Sequence, residues 1–287
     1  MGTERGNQVT TLTGQTIFIS GGIGSFGRAF IKNALAQEPK VIRVYDHGEQ
    51  GLQELATEYR GESRLRFMLG DIRDEKRLRA CMRDVDTVIH AAALKHVDIC
   101  EYNPTECVET NVLGSINVCS AARDAGVKRL VAISTDKAVH PVSTYGASKL
   151  LMEMCLLDMQ RFMGQHLKVA IIRSGNFEGS HGSVIPLWKR QYEETGRITI
   201  TDKDMVRYWI GLDEIAQFVV QVLETMSGGE IFIPRMPTAT IGELAHKLYP
   251  GAKVSYIGRR PGERLVEYLF GENETPEEHE NYYLVRK

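Results

Sequence analysis

Six short runs of apolar, largely β-branched residues alternate with helical patterns along the first two thirds of the chain, and this alternation constrains the fold more than any other feature. Strands buried on both faces read as continuous apolar runs, and helices between them connect the strands in parallel. The runs predict strands at Thr16–Ser20, Val41–Tyr45, Leu65–Leu69, Asp86–His90, Arg129–Ser134 and Lys168–Arg173. The sequence therefore predicts an α/β protein built on a doubly wound parallel sheet.

A glycine cluster lies between the first predicted strand and a helical pattern over Arg28–Gln37. Gly22, Gly24 and Gly27 fit the pattern G-x-G-x-x-G, and Gly21 begins a wider G-x-x-G-x-x-G spacing with the last two. Glycine is required where a tight turn lets the backbone approach a pyrophosphate at a helix amino terminus. The strand, turn and helix together predict a Rossmann-type dinucleotide-binding domain.

Acidic residues follow the second and third predicted strands. Asp46 lies 19 residues beyond Gly27, where a carboxylate can accept hydrogen bonds from both ribose hydroxyls of NAD. The same charge would repel the additional phosphate of NADP. Asp71 could contact the adenine, although a solvated turn residue would look the same in the sequence. The motif predicts NAD or NADP as the cofactor, with NAD favoured by Asp46.

Composition narrows the class of partner. Lys and Arg total 35 against 37 Asp and Glu, so the formal net charge is −2 and indicates neither nucleic acid nor an anionic membrane. Five cysteines without a C-x-x-C pair predict buried thiols in a reducing cytoplasm. Met1–Gln15 lacks the apolar core of a signal peptide, Gly6 lies where a myristoylation motif requires Ser or Thr, and no apolar run reaches the roughly 18 residues of a membrane span. We expect a cytoplasmic protein with a small-molecule partner.

A Tyr-x-x-x-Lys pair, Tyr145 and Lys149, follows the fifth predicted strand. The i, i+4 spacing puts both side chains on one helix face. Free tyrosine has a pKa near 10, and a nearby ammonium favours its phenolate. Such a phenolate can remove a hydroxyl proton while hydride leaves the same carbon. The pair is common by chance, but its position in a dinucleotide-binding fold predicts a catalytic role.

With these motifs the chain resembles the extended short-chain dehydrogenase/reductase family and, within it, the nucleotide-sugar 4,6-dehydratases acting on UDP-N-acetylglucosamine. The resemblance covers nearly the whole chain. Its most specific segments are Ala91–Val97, Glu101–Pro104, Ser134–Pro141, Met205–Ile210 and Arg260–Glu263. The glycine and Tyr-x-x-x-Lys motifs are typical of the superfamily, whereas Thr-Asp-Lys-Ala before the tyrosine indicates a dehydratase.

The resemblance implies a reaction with internally balanced redox. Oxidation at C4 gives a ketone that acidifies the C5 proton, water leaves across C5 and C6, and hydride returns to C6. This chemistry needs a base for the C4 hydroxyl, a base at C5 and an acid for the C6 hydroxyl. The resemblance assigns Tyr145, Lys137 and Asp136 to these roles in that order, with Thr135 bonded to the C4 oxygen.

The resemblance also implies the residues that contact each ligand. Cofactor contacts are expected from Gly21, Gly24, Ser25, Phe26, Gly27, Asp46, Asp71, Ile72, Ala91, Ala92, Tyr145 and Lys149. Contacts to the UDP-sugar are expected from Lys95, Asn176, Ser183, Val184, Arg207, Arg260 and Glu263. We expect no metal site, and we expect the protein to form a homo-oligomer.

The regular alternation ends after Arg173, where glycines and prolines become frequent. A later helix over Asp213–Met226 carries an apolar stripe and should pack back on the sheet. We therefore expect residues 12–175 and 205–227 to form the NAD(P)-binding Rossmann domain. Residues 176–204 and 228–287 should form a smaller, discontinuous lobe that binds the nucleotide sugar.

Three departures from the family pattern leave the stereochemistry at C5 open. Ser174 replaces a usual tyrosine, His181 replaces a common arginine, and Asp46-His47 replaces the Ser-Arg pair that many inverting relatives use for an NADP phosphate. The region around Asp46 resembles retaining relatives, whereas Tyr145 resembles inverting ones.

Two other functions remain open at this point. A UDP-sugar 4-epimerase has the same fold, cofactor and Tyr/Lys pair but needs no acid and base at C5 and C6, so Asp136 and Lys137 argue against it. A non-catalytic NAD(P)-binding protein would be expected to lose Tyr145 or Lys149, and both are present.

Overall fold

The computed structural model describes residues 11–163 and 166–287. The segment 1–10, which includes most of the region where we expect no signal peptide or lipid anchor, lies outside these residues. Within the described ranges, none of the helices combines the length and the apolarity needed to cross a bilayer.

The helices follow one another as α1 (Ser25–Leu35), α2 (Glu49–Glu58), α3 (Glu75–Cys81), α4 (Val97–Tyr102), α5 (Pro104–Val108), α6 (Gly114–Asp124), α7 (Thr144–Met163), α8 (Val184–Thr195), α9 (Leu212–Thr225) and α10 (Ile241–Leu248). A π-helical turn covers Glu109–Leu113 and a 3-10 turn covers Asp136–Ala138. The strands are β1 (Thr16–Ser20), β2 (Val41–Asp46), β3 (Leu65–Leu69), β4 (Thr87–His90), β5 (Arg129–Thr135), β6 (Lys168–Ser174), β7 (Asn176–Phe177), β8 (Arg197–Ile200), β9 (Val206–Ile210), β10 (Glu230–Pro234), β11 (Thr238–Thr240), β12 (Lys253–Tyr256), β13 (Glu277–Glu278) and β14 (Tyr282–Arg286).

One large sheet organises the described part of the chain. Its nine strands there lie in the order β13-β14-β10-β6-β5-β4-β1-β2-β3. The strands from β10 to β3 pair in parallel, and β14 pairs antiparallel with β10 and β13. The order reverses between β1 and β4, which leaves a crevice at the carboxyl ends of the strands. The predicted Rossmann-type α/β fold is confirmed.

Both faces of the sheet are covered, which explains the continuous apolar strands. In β1, Ile17 and Ile19 point into the core beneath α1 and α9, while Phe18 points into the core beneath α6 and α7. Alternation along a strand produces this division. Burial of each such side chain contributes about 1.5–3 kcal/mol, so both helical layers are held on the sheet. The predicted packing of α9 is observed, since Val219 and Val222 share one core with Phe30 of α1.

The smaller lobe has its own apolar core. In the described residues it contains a sheet in the order β11-β9-β7 and the pair β12-β8. Trp188 of α8, Trp209 of β9 and Ile241 of α10 are buried together there. The lobe lies beyond the carboxyl end of β6 in the chain, where the Rossmann crevice opens.

The structure differs from the predicted division in two places. Residues 228–287 are not all in the lobe, because Glu230–Pro234 and Tyr282–Arg286 complete the large sheet. Conversely, Val206–Ile210, expected in the Rossmann domain, pairs with β7 and β11. The physical reason is that Glu230–Pro234 is buried at every position, so only a place inside the large sheet satisfies it.

Candidate active site

The glycine turn between β1 and α1 has the shape that a dinucleotide requires. Gly21 has φ +76°, and a Cβ there would lie 2.6 Å from the backbone nitrogen of Ala92. The turn leads directly into α1, whose first N–H groups point out of the helix toward the crevice. Phe26 packs its ring against Phe30 and Phe177, so its backbone is the part that can meet a cofactor.

The two predicted acidic cofactor ligands have different surroundings. Asp46 ends β2 and is 7% exposed, and its two oxygens accept hydrogen bonds from the N–H groups of Ile23 and Gly48 at 3.3 and 3.2 Å. Asp46 is therefore fixed beside the glycine turn, as a ribose ligand must be. Asp71 instead forms an ion pair with Arg73 at 2.7 Å, and the hydrogen bonds from Arg73 lower the pKa of the Asp71 carboxyl. This pairing supports the turn role for its side chain.

A buried polar contact joins the ends of the two strands that border the crevice. His90 of β4 bonds Ser20 of β1 through Nδ1 at 2.7 Å and Ser115 of α6 through Nε2 at 2.8 Å. Burial, with a smaller effect of the Lys149 charge, lowers the pKa of His90 to about 3. The neutral imidazole therefore connects β1, β4 and α6 beneath the glycine turn and Ala91. Ile72, another predicted cofactor contact, is buried beside Gly114.

A cleft of about 420 Å³ opens next to this region, between the large sheet and the smaller lobe. The predicted site residues that line it are Ala91, Lys95, Thr135, Lys137, Tyr145, Lys149, Asn176, Ser183, Val184, Arg207, Arg260 and Glu263. Gly21, Gly24, Ser25, Phe26, Gly27, Asp46, Asp71, Ile72, Ala92 and Asp136 are not among its lining residues. All but the last of these are residues expected at the cofactor. The structure thus brings the predicted catalytic and sugar-binding groups to one cleft, with Asp136 set behind its wall.

The Tyr145 helix approaches the Thr-Asp-Lys turn unusually closely. A Cβ on Gly146 would lie 2.3 Å from the carbonyl oxygen of Lys137, so glycine at this position permits the contact. Burial raises the pKa of Tyr145, a hydrogen bond with Thr135 lowers it, and the charge of Asp136 raises it further. The Tyr145 pKa is therefore raised and not lowered as the Tyr-x-x-x-Lys spacing predicts, because desolvation has the largest effect.

Lys149 is buried and anchored behind the tyrosine. Its Nζ donates to the carbonyl oxygen of Ile133 at 2.7 Å. Burial lowers the pKa of Lys149 to about 8, against the raising effects of Glu153 and Cys107. The ammonium and the neutral amine are therefore close in free energy at neutral pH.

Asp136 and Lys137 form the polar centre of the Thr-Asp-Lys turn. Lys137 Nζ donates to Asp136 Oδ1 at 2.9 Å and to Asn176 Oδ1 at 3.3 Å. Asp136 Oδ1 also accepts from Thr135 at 3.0 Å. Asp136 Oδ2 is buried and has no hydrogen-bond partner among the described residues, which is costly for a carboxylate. Functional sites are where such an unsatisfied charge is retained.

Three of the predicted sugar-binding residues differ in how they are held at the cleft. Arg207 is 5% exposed, and its guanidinium donates to the carbonyl oxygens of Val206 and Arg264, both at 2.8 Å. It thereby supports the wall of the cleft as well as facing it. Arg260 and Glu263 bond each other at 2.9 Å in a turn at the cleft rim.

Loop residue His181, noted in the sequence only as a departure, connects the two ligand regions. Its Nδ1 lies 2.9 Å from Ser25 Oγ, and its backbone N–H donates to the same hydroxyl at 2.9 Å. Lys95 Nζ donates to the His181 carbonyl oxygen at 2.7 Å. Sequence reasoning had no local signal for this contact, since 156 positions separate His181 from Ser25.

A buried charge network lies behind the carboxyl ends of β5 and β6. Arg173, 1% exposed, forms ion pairs with Glu153 and Glu274, each at 2.6 Å. Glu153 also accepts from Ser134 Oγ at 2.6 Å, next to Thr135. The network therefore ties β5, β6 and α7 together immediately beneath the site. Among the described residues no cluster of His, Cys, Asp and Glu could hold a metal ion.

Comparisons with known proteins agree with this geometry. Residues 17–287 match the family model described as "Polysaccharide biosynthesis protein". A UDP-N-acetylglucosamine 4,6-dehydratase (inverting) of Campylobacter jejuni is 42% identical, over 94% of this chain and 82% of that protein. A UDP-glucose 4-epimerase of Rickettsia bellii is 36% identical, over 94% of this chain and 82% of that one.

Solved structures show the same fold. Pen from Bacillus thuringiensis superposes with a TM-score of 0.93 at 33% identity, covering 96% of this chain and 88% of that one. DesIV, a dTDP-glucose 4,6-dehydratase from Streptomyces venezuelae solved with NAD and TYD bound, gives 0.81 at 29% identity, covering 89% and 88%. The chain therefore belongs to the polysaccharide biosynthesis protein family and shares the fold of NAD-binding nucleotide-sugar dehydratases.

Proposed function

We propose that this protein is a nucleotide-sugar 4,6-dehydratase that converts UDP-N-acetylglucosamine to a UDP-4-keto-6-deoxy-hexosamine. One observation carries the proposal: Lys137 lines the same cleft as Tyr145 and is bonded to Asp136 behind the cleft wall. The 42% identical Campylobacter relative, named as inverting, supports both the reaction and inversion at C5.

The Asp136–Lys137 ion pair can supply and take back every proton that moves in the elimination. Transfer of one proton along the 2.9 Å bond from Lys137 Nζ to Asp136 Oδ1 creates a neutral amine and a carboxylic acid together. The amine then takes the C5 proton, and the acid gives its proton to the departing C6 hydroxyl, which leaves as water. The ammonium and the carboxylate are restored. General acid and base groups of this kind typically contribute about a hundred- to ten-thousand-fold each.

Asp136 needs a route to the sugar, because it is 0% exposed and lies behind the cleft wall. Thr135 and Lys137 both bond Oδ1 and both line the cleft. Rotation of these two side chains toward substrate hydroxyls would open the way to the carboxyl. The proton inventory is the same whether Asp136 reaches the C6 oxygen directly or across Lys137.

The cofactor we propose is NAD, bound along the glycine turn with Asp46 at the ribose. When bound, the cofactor would supply a hydride acceptor for C4 and a hydride donor for C6, while the Lys137 ammonium returns a proton to C5. Gly21, the start of α1 and the fixed Asp46 carboxylate fit its pyrophosphate and ribose. Tyr145 first loses its own proton to solvent, which burial makes costly by raising its pKa. The phenolate then takes the C4 hydroxyl proton, and Thr135 holds the C4 oxygen.

A 4-epimerase is the second candidate, favoured by the 36% identical Rickettsia relative. Epimerisation at C4 uses Tyr145 and Lys149 but gives no role to the Asp136–Lys137 pair. A non-catalytic NAD-binding protein has no use for either pair. The dehydratase is therefore the function that employs all four residues.

We also propose a homo-oligomer in a reducing cytoplasm. Leu151, Met154 and Phe162 form an exposed apolar stripe on α7, 44%, 54% and 83% exposed. Exposed apolar side chains on one helix face, here with the exposed Asp158 between Met154 and Phe162, are typical of an interface. None of the five cysteines is in a disulfide bond, as a reducing compartment favours. Sedimentation of wild type and of a Leu151→Glu variant would test the stripe, and a monomer in both would contradict the proposal.

A proton NMR time course in deuterated water tests the activity directly. The purified protein is mixed with NAD and UDP-N-acetylglucosamine without a reductant. A 4-keto-6-deoxy product with deuterium at C5 is expected, and the C5 configuration distinguishes inversion from retention. Interconversion with the C4 epimer, without dehydrated product, would show that the protein is an epimerase.

A further inference from the structure

A second carboxylate, Glu267, lies on the other side of Lys137. Its Oε1 is 3.7 Å from Lys137 Nζ and 3.9 Å from Arg207 Nη2. Glu267 is 3% exposed and lines the cleft. A carboxylate so buried is retained only with compensating charge, and here the two cations that compensate it both face the same cleft.

The chain holds Glu267 in place from the backbone. Val206 N donates to the carbonyl oxygen of Leu265 at 2.8 Å, and Val266 forms an isolated parallel bridge with Val206. Arg207 donates to the Arg264 carbonyl oxygen at 2.8 Å. The segment before Glu267 is thus fastened to β9, so the position of its carboxylate is set by the sheet of the smaller lobe.

Lys137 consequently lies between two carboxylates with different access to the substrate. Asp136 is behind the wall of the cleft, whereas Glu267 is on its surface. The array of Asp136, Lys137, Glu267 and Arg207 is electrically balanced, with two charges of each sign.

Three further titratable groups surround this array. Burial raises the pKa values of Tyr145 and Tyr208, and the charge of Asp136 raises both further. Lys149 lies behind Tyr145, where burial lowers its pKa to about 8.

From this arrangement we infer that Glu267 is a positioning residue for Lys137, required for removal of the C5 proton and not for oxidation at C4. This inference rests on the proposed dehydratase function. Glu267 orients Nζ from the substrate side while Asp136 exchanges a proton with it from behind. When Lys137 swings toward C5, Glu267 also provides the charge that stabilises the newly formed ammonium.

The test measures C4 oxidation and C5 proton removal separately in Glu267→Gln and in the conservative variant Glu267→Asp. Stopped-flow absorbance of reduced nicotinamide reports C4 oxidation, and deuterium incorporation from solvent reports C5 exchange, each across a pH series. Glu230→Gln is the matched control, because Glu230 is a buried, ion-paired carboxylate (2% exposed) in the large sheet, away from the cleft.

In Glu267→Gln we expect oxidation within about twofold of wild type and a plateau rate of C5 exchange about 10- to 100-fold lower, as misplacement of a reacting group costs. The acid limb of the exchange profile should move to lower pH, because loss of a neighbouring negative charge disfavours the uptake of a further proton by the Asp136–Lys137 pair. Glu267→Asp should leave the limb in place and recover part of the rate. Glu230→Gln should change neither step.

Unchanged exchange with an unmoved limb in Glu267→Gln would overturn the inference. So would a parallel fall in oxidation and exchange, which would indicate a merely structural role. If Glu267→Gln does not fold, Glu267→Asp decides: exchange equal to wild type would overturn the inference. Failure of the proposed function is recognised separately, because wild type itself would then incorporate no deuterium at C5.

Discussion

Replacing Asp46 by asparagine should change the cofactor preference while leaving the fold intact. The amide oxygen can still accept from either Ile23 or Gly48, so one of the two contacts that fix the side chain is kept and the other is lost. The negative charge at the end of β2 is removed as well. We expect Asp46→Asn to weaken NAD binding and to strengthen NADP binding.

The magnitude follows from Coulomb's law and the burial of the group. Unit charges about 4 Å apart repel by about 1 kcal/mol in water and about 4 kcal/mol at an effective dielectric constant of 20. Asp46 is 7% exposed, but the cofactor side of it opens to the crevice, so about 2–3 kcal/mol is appropriate. That energy corresponds to about a 30- to 150-fold gain for NADP. Replacing charge-assisted hydrogen bonds to the ribose by neutral ones should cost NAD about tenfold.

Calorimetric titration of cofactor-free protein with NAD and with NADP, at one pH and one salt concentration, gives both constants. Glu49→Gln is the matched control, since it removes the same charge from an exposed position in the first turn of α2. Solvent screening should limit its effect on the NAD to NADP ratio to about threefold. A ratio in Asp46→Asn within twofold of wild type would show that Asp46 does not face the ribose.

Other substitutions address the catalytic steps and the buried network. Tyr145→Phe should abolish oxidation, so stopped-flow mixing with substrate should give no reduced-nicotinamide signal; a wild-type signal would refute the role. Lys137→Ala should keep that signal but slow C5 exchange by about a hundred- to ten-thousand-fold, measured by NMR, and near-normal exchange would favour the epimerase. Arg173→Met should lower the free energy of unfolding by about 3–5 kcal/mol, because Glu153 stays buried without its cation and Glu274 keeps only Lys287; urea unfolding with an unchanged midpoint would contradict this. Burial raises the pKa of Glu274, but Arg173 and other donors lower it overall to about 2, so its contribution to stability is complete above about pH 4.5 and is lost as pH falls toward 2. The stability advantage of wild type over Glu274→Gln should shrink across that interval.

The strands of the large sheet could be predicted where the local pattern was strong. The six predicted strands agree with the structure to within one residue at each end, because two covered faces force a continuous apolar run. By contrast, Glu230–Pro234 is a five-residue run after an irregular stretch, and nothing local distinguishes it from a strand of the lobe. Its place beside β6 is set by pairing with residues 60 positions earlier.

The candidate site divides along the same line. Thr135 to Lys149 form one contiguous segment, so spacing alone predicts that their side chains meet. Glu267 lies 130 positions from Lys137, and no local motif connects them. The pairing of Asp71 with Arg73 was predictable in principle, since two positions separate them, but the cofactor motif offered a competing role for the same carboxylate.

The ion pair between Arg173 and Glu274 can form only late in the synthesis of the chain. The partners are 101 positions apart, and a ribosome adding about 5–20 residues per second needs roughly 5–20 s between them. In the first part of that interval, before Glu230–Pro234 has been synthesised, β6 has no β10 at its side and presents an open strand edge. Throughout the interval Arg173 has only half of its counter-charge. Until its last quarter emerges, the growing chain therefore exposes the unpaired edge of β6, to which another chain could pair. We expect the nascent protein to bind chaperones that cover such edges.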